Sequence, residues 1–328
     1  MKKLSIVIPV YYNEQNLEPL YADLKEKVFG ALAERGWEYE LIFVDDGSKD
    51  GSFEVMSKLA KSDKNIVNVR LSRNFGSHAA ILAGLSQASG NCATSKAADL
   101  QEPSELILQM LDEYEKNFNV VLAVREGRDE GIVQSFFANF YYSLIRVFAL
   151  KNMPKQGFDC FLIDRKVIDV LTAMEEKNTT LMGQILWSGF RTSQVGYVRR
   201  RREIGKSRWT LRKKLKLVTD SILGFSYTPI KVISGMGVAL FFASFIWAVI
   251  VVICKLTGNI PVEGYTTLAI ILLCGFGLVL LSLGILGEYM WRMFDASRKR
   301  PPFIIEEVET GKNTEKKGKE QKNDRKST

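Results

Sequence analysis

Over the first two hundred or so residues, short apolar runs alternate with stretches whose apolar positions recur at helical spacing. The runs are Leu4 to Val10, Tyr39 to Asp45, Ile66 to Leu71 and Val120 to Arg125, each read as a strand, and Leu17 to Leu32 and Phe53 to Ala60 read as amphipathic helices. That alternation predicts an α/β domain, Rossmann-like, with a mainly parallel, doubly wound sheet over residues 1–210. Ligands of such sheets sit beyond the carboxyl ends of the strands, so the residues just after each run are the candidates for chemistry. No internal repeat is evident.

Two later runs have a different character. Val232 to Cys254 and Thr267 to Gly287 hold 23 and 21 residues without a charge. As helices these are about 30–35 Å long, enough to cross a hydrocarbon core. Core helices of this length normally carry a polar stripe, so two transmembrane helices are predicted, over 232–254 and 267–290. The short 255–266 loop between them is predicted to be external, because the cations cluster outside the pair. Arg199 to Arg202, Lys206, Arg208, Arg212 to Lys214 and Lys216 precede the first run, and Arg292, Arg298, Lys299 and Arg300 follow the second. Residues 211–231 mix Leu215, Ile222, Leu223 and Phe225 with cations, a pattern for amphipathic juxtamembrane helices at headgroup level. Residues 291–328 are expected to be a cytoplasmic, mostly disordered tail, polar throughout from Gly311. The reading is a multi-pass protein of the cell membrane with its large domain in the cytoplasm.

Composition narrows the chemistry. The 328 residues carry a net charge of +8, which suits nucleic acid or an anionic membrane surface, and the placement of the cations favours membrane. No nucleic-acid partner is expected. Cys92, Cys160, Cys254 and Cys274 lie too far apart for a zinc spacing or a disulfide framework. The single histidine, His78, argues against a triad or a His-ligated metal, leaving carboxylates and cations to carry a site.

Polar groups do follow the predicted strands. Pro9-Val10-Tyr11-Tyr12-Asn13-Glu14 comes after the first and Val44-Asp45-Asp46-Gly47-Ser48-Lys49-Asp50-Gly51 after the second, offering acceptors for a nucleoside's ring N–H and ribose hydroxyls. Ordinary turn chemistry would use the same residues. Together with Leu71-Ser72-Arg73-Asn74-Phe75-Gly76, Ala98-Asp99-Leu100-Gln101-Glu102-Pro103, Gly157-Phe158-Asp159-Cys160-Phe161, Arg165, Tyr197, Arg199, Arg202 and Gly205-Lys206-Ser207-Arg208-Trp209, these segments resemble the family 2 glycosyltransferases of the GT-A fold. The resemblance is to the polyprenyl-phosphate branch, dolichyl-phosphate mannose synthases and undecaprenyl-phosphate sugar transferases, and covers about residues 1–300.

What the resemblance implies is a GT-A catalytic domain that moves a hexose, with inversion, from a nucleotide diphosphate sugar to a polyprenyl phosphate. Glucose or N-acetylglucosamine carried on UDP is the expected donor. Pro9, Tyr11, Glu14 and Asp46 would line the nucleoside pocket, with Asn74, Gly76 and His78 as further donor contacts. Asp99 and Gln101 would hold Mg²⁺ or Mn²⁺ on the diphosphate, hard oxygen ligands suited to a cation that stabilises the departing nucleotide. A helix cap before Pro103 is the other reading of the same pair. Where the family often has Asp-x-Asp, this chain has Ala97-Ala98-Asp99, so the first carboxylate is missing.

A phosphate acceptor is already ionised at neutral pH and needs cations more than a general base. Arg125 falls where the family places an acceptor-phosphate arginine, with Arg128, Arg199 and Arg202 as further candidates. An anionic-lipid patch is the competing role for Arg199 to Arg202. Asp159 resembles the family's acidic residue near the reaction centre, which makes Asp99, Asp159 and Arg125 the expected catalytic set. Two other classes share some of these features. A processive polysaccharide synthase should show more membrane spans and Gln-x-x-Arg-Trp, whereas Gly205 precedes Arg208-Trp209 here; a silent membrane scaffold is favoured only by Ala97. Gly235, Gly237, Gly275, Gly277 and Gly284 would let a second copy pack closely against the membrane helices.

Overall fold

The computed structural model describes residues 1–126, 152–158, 160–174, 176–177, 179–200, 220, 223–226, 228–257 and 265–311, with isolated positions at 143, 146 and 150. The chain divides into two compact units, Met1–Ser221 with Pro301–Thr328, and Ile222–Arg300.

The larger unit is built on one eight-stranded sheet. Its strands are β1 (Lys2–Val10), β2 (Trp37–Asp45), β3 (Ile66–Leu71), β4 (Cys92–Ser95), β5 (Val120–Arg125), β6 (Cys160–Asp164), β7 (Thr192–Tyr197) and β8 (Ile305–Thr310). The order across the sheet is β7-β5-β6-β4-β1-β2-β3-β8. Neighbours β1/β2, β1/β4, β2/β3 and β5/β7 are parallel; β6 runs antiparallel to both β4 and β5, and β8 runs antiparallel to β3. Uninterrupted apolar sequence in the centre follows from cover on both faces. Leu4, Ile6, Val7 and Ile8 of β1 and Leu41, Ile42, Phe43 and Val44 of β2 have no exposed surface.

Helices supply the cover. α1 (Glu14–Leu24) passes through one π-helical stretch, Lys25–Phe29, into α2 (Gly30–Glu34). It buries Leu17, Leu20 and Leu24, spaced to share one face, in the main core. The remaining helices of this unit are α3 (Ser52–Ser62), α4 (Ser77–Gln87), α5 (Leu106–Glu115), α6 (Arg165–Ala173) and α7 (Leu181–Trp187). Thr180 caps α7 through Gly183 N at 3.1 Å, and Asp164 caps α6 through Lys166 N at 2.9 Å.

The smaller unit contains α8 (Thr228–Leu256) and α9 (Tyr265–Ser297). Both are long and apolar enough to cross a membrane, through windows Ile230–Trp247 and Gly275–Ser297. Their large side chains point outward: Phe245 is 60% exposed and Leu280 68%. An outward apolar surface of that kind needs a non-aqueous neighbour.

The sequence pattern predicts no element in residues 291–328, and the structure differs there. α9 continues to Ser297, and β8 then pairs with β3 through Val67↔Thr310, Asn68↔Glu309, Val69↔Val308 and Arg70↔Glu307. The segment reads as polar because β8 lies on a sheet edge, where backbone hydrogen bonds rather than buried side chains hold a strand. Positions beyond Gly311, like most of 211–222 and the 258–264 loop, lie outside the described residues.

Candidate active site

The carboxyl ends of the parallel strands carry a set of interlocked loops. After β1, Tyr12 adopts φ 55°, and its N–H donates to Ser48 Oγ at 3.0 Å; the next amide, Asn13 N, donates to Ser52 Oγ at 3.0 Å. After β2, Asp45 accepts from Ser48 N at 3.0 Å, and Glu14 accepts from Gly51 N at 3.1 Å. Asp46, 3% exposed, reaches the loop after β3: its two carboxylate oxygens accept from Phe75 N at 2.7 Å and Gly76 N at 2.9 Å. Gly47 makes that approach feasible. It sits at φ +70°, and a β-carbon there would lie 2.7 Å from the Arg73 carbonyl carbon. The loops of β1, β2 and β3 therefore form one pre-ordered rim.

Pro9, Tyr11, Glu14, Asp46, Asn74 and Gly76 all fall on this rim. Asp46 is committed to the β3 loop by two backbone donors, and Glu14 to the start of α3. Asn74 is exposed, and His78 is half-buried in the first turn of α4, which Gly76 enters at φ 99°. Burial pushes the His78 imidazole below its ordinary pKa, with Asp220 acting weakly the other way.

The turn after β4 carries Asp99 and Gln101, and it is braced from within. Lys96, 3% exposed, donates from Nζ to the Glu102 carbonyl at 2.6 Å, while Ala97 N donates to Glu102 Oε2 at 3.0 Å. Burial lowers the Lys96 pKa, and Glu102 opposes that shift. Between the two polar residues Leu100 takes φ 59°, an uncommon backbone for a branched side chain, held by packing on the core and by Asp99 Oδ1 accepting from Gln101 N at 3.3 Å. Strain at such a turn is a mark of functional sites. Neither Leu100 nor the Lys96–Glu102 brace was signalled in the sequence.

The cationic side of the site comes from β5 and β7. Arg125 ends β5 in register with Tyr197 of β7, and Glu126 N donates to Tyr197 O at 2.7 Å, so the residues after each strand start from one edge. Arg199 follows two positions later and donates to Gln101 Oε1 at 2.7 Å. Arg200 lies 3.7 Å from Glu105. The structure thus brings Arg199 to the Asp99–Gln101 turn and places Arg125 on the neighbouring strand end. Arg128, Asp159 and Arg202 lie outside the described residues, as do Lys206, Arg208 and Trp209.

Among the described residues no three His, Cys, Asp or Glu side chains gather as a metal site. Of the turn's two carboxylates, Glu102 is buried and accepts from Ala97 N, and Asp99 is the more exposed one. One carboxylate fits a cation of the Mg²⁺ or Mn²⁺ type when diphosphate oxygens and water complete the shell, since such ions are usually bound by one or two carboxylates together with substrate phosphates.

The mainly parallel sheet, with its loops gathered at the strand ends, is that of a GT-A domain. The chain belongs to glycosyl transferase family 2, whose pattern matches residues 5–172. It is 37% identical over 92% of its length to the uncharacterized glycosyltransferase YkcC of Bacillus subtilis, covering 93% of that protein. It is 35% identical over 93% of its length to the uncharacterized glycosyltransferase sll0501 of Synechocystis, covering 95% of it. It is 32% identical over 92% of its length to the bactoprenol glucosyl transferase of Shigella phage SfV, covering 98% of it.

Proposed function

We propose that the protein transfers a sugar from a UDP-sugar, UDP-glucose or UDP-N-acetylglucosamine, to undecaprenyl phosphate, inverting the anomeric centre and yielding a lipid-phosphate sugar for cell-envelope glycan modification. The observation that carries the reading is the convergence at the carboxyl ends of the strands of an interlocked rim, the Asp99 turn and the arginines at the ends of β5 and β7. Likeness to a bactoprenol glucosyl transferase over nearly the whole chain supports the acceptor class.

The rim of β1, β2 and β3 receives the nucleoside. Its loops are tied to one another by backbone N–H groups donating to the Ser48, Ser52 and Asp46 side chains, which lowers the ordering cost of binding. Asp99 would hold a divalent cation against the diphosphate. That ion supplies charge compensation as the leaving nucleotide gains negative charge. The acceptor phosphate is ionised at working pH, so the cationic edge orients a nucleophile that needs no deprotonation. Arg125 grips it, with Arg128 and Arg202 as further candidates and Asp159 as the group orienting hydroxyls near the reaction centre. The helices α8 and α9 anchor the chain in the membrane where a polyprenyl phosphate resides, with both termini cytoplasmic.

The testing variant is Arg125→Ala. Loss of a charge-assisted hydrogen bond to phosphate should cost about 1.5–3 kcal/mol in the use of lipid phosphate. Donor affinity should stay near that of the unaltered chain. A collapse of nucleotide affinity with unchanged acceptor dependence would assign Arg125 to the other substrate.

A further inference from the structure

Without β8, β3 would be the edge of the sheet, and β3 runs straight into the loop whose Phe75 and Gly76 amides Asp46 holds. β8 meets it antiparallel, so its first residues lie at the rim end: Leu71 pairs with Ile305, and Ser72 N donates to Ile304 O at 3.1 Å. The register shifts between Arg70 and Leu71, which leaves Glu306 as the extra residue of a bulge. Glu306 lies 3.9 Å from Arg70 Nε, which is also 3.9 Å from the buried Asp45 carboxylate, and the Arg70 guanidinium stands 4.7 Å from the Phe53 ring centre.

The tighter tie is Glu309. Its Oε2 accepts from Ser57 Oγ of α3 at 2.7 Å and from Asn68 Nδ2 of β3 at 3.1 Å. Asn68 has no exposed surface, so its amide nitrogen needs a partner inside the protein, and the polar strand β8 supplies it. One carboxylate oxygen thus joins β8 to two elements that end in the rim. β3 leads to Phe75 and Gly76, and α3 opens with Ser52, whose hydroxyl accepts from Asn13 N at 3.0 Å. Gly311 closes the segment against the end of α3, where a β-carbon would lie 2.7 Å from Ala60 O.

We infer that β8 is a strap that sets the donor rim, and that Glu309 is a positioning residue for donor binding, acting through Asn68 and Ser57. A rim built from backbone amides keeps its shape only while the strand and helix beneath it keep theirs, and Glu309 fixes both at once. β8 follows both long helices in the chain, so the rim is complete only once the polypeptide beyond α9 has joined the sheet. This role rests on the donor reading of the rim proposed above.

The test compares the full chain with Glu309→Ala and Glu309→Gln in detergent, reading UDP affinity by calorimetry, KM for the donor and for undecaprenyl phosphate, and hydrogen exchange of the rim amides. Glu309→Ala should weaken UDP binding and raise donor KM about three- to tenfold, the reach of one or two lost hydrogen bonds, with KM for lipid phosphate within about twofold. Exchange should quicken at Asn13, Phe75 and Gly76 while Ile6 to Ile8 in the centre of β1 keep their rates. Glu309→Gln keeps an oxygen for Ser57 and Asn68 and should restore both readouts. Quickening by the same factor in β1 and the rim, or none in the rim, reduces β8 to a stabilising edge strand and overturns the positioning role; so does an opened rim with unaltered UDP affinity. Should Glu309→Ala fail to fold, Ser57→Ala removes one of the two donors and should give the same pattern at about two- to threefold, and no rim-specific change there also defeats the role. An unaltered chain that binds no UDP defeats the donor reading and not the strap, which rim exchange then decides by itself.

Discussion

Asp63 shows how single side chains set the pH range of this fold. Its carboxylate accepts from the Tyr39 hydroxyl at 2.7 Å and from the Tyr21 hydroxyl at 3.1 Å. Burial, then the charge of Asp63, raises Tyr21 from 10.0 to about 12, and burial with the hydrogen bond to Asp63 raises Tyr39 further. A pKa raised on folding gives stability that is complete below the unfolded value and is lost as pH climbs through the folded one. Stability should therefore hold up to pH 10 and fall toward pH 12, and Tyr39→Phe should make that alkaline loss shallower. Denaturant midpoints against pH, with tyrosinate absorbance in parallel, check this; an identical slope in the variant would contradict it. At this scale the sequence was legible in position rather than in role: Asp46 follows the run Tyr39 to Asp45, and the structure places it directly after β2. It was not legible where the role depends on a distant partner. Nothing local announces that Gln101 meets Arg199, 98 positions later, or that Asp46 closes on the amides of Phe75 and Gly76.

Among the elements, the strands with continuous apolar runs matched to within two residues: Leu4 to Val10 against Lys2–Val10, and Tyr39 to Asp45 against Trp37–Asp45. β4 could be read only as a strand end before Asp99, without bounds, because Cys92–Ser95 is a four-residue strand of small side chains, too short for any period. β7 and β8 escaped because edge strands need little apolar character. The loops between elements yield a sharper prediction. Gly47 combines φ +70° with a close approach of the Arg73 backbone, so alanine there must both take a left-handed backbone and push the β3 loop away from Asp46. Gly47→Ala should destabilise the domain by about 1–3 kcal/mol and raise donor KM more than acceptor KM. A variant with unchanged stability and donor KM would show that the rim is not pre-ordered as described.

The molecule holds a sheet-based unit and a pair of long helices rich in exposed apolar side chains. The sequence conveyed this plainly, since unbroken runs of 23 and 21 uncharged residues suit a hydrocarbon core and not an aqueous surface. Lys and Arg flank the pair on the outer sides, and the 255–266 loop carries only Lys255 and Glu263. A cysteine placed at Asn259 should then react with an impermeant thiol reagent from outside intact cells, while Cys92 and Cys160, buried in the sheet domain, stay unlabelled. Labelling of the sheet domain from outside would reverse the topology.

The central claim, transfer of one sugar to a polyprenyl phosphate, is tested most directly by incubating membranes that contain the protein with a panel of radiolabelled UDP-sugars, undecaprenyl phosphate and Mg²⁺ or Mn²⁺. The account predicts a single-sugar product that extracts with the lipid, appears with one donor of the panel, disappears in excess chelator and is lost in Asp99→Asn. An extended polymer, hydrolysis of the donor without a lipid product, or full transfer by Asp99→Asn would contradict it.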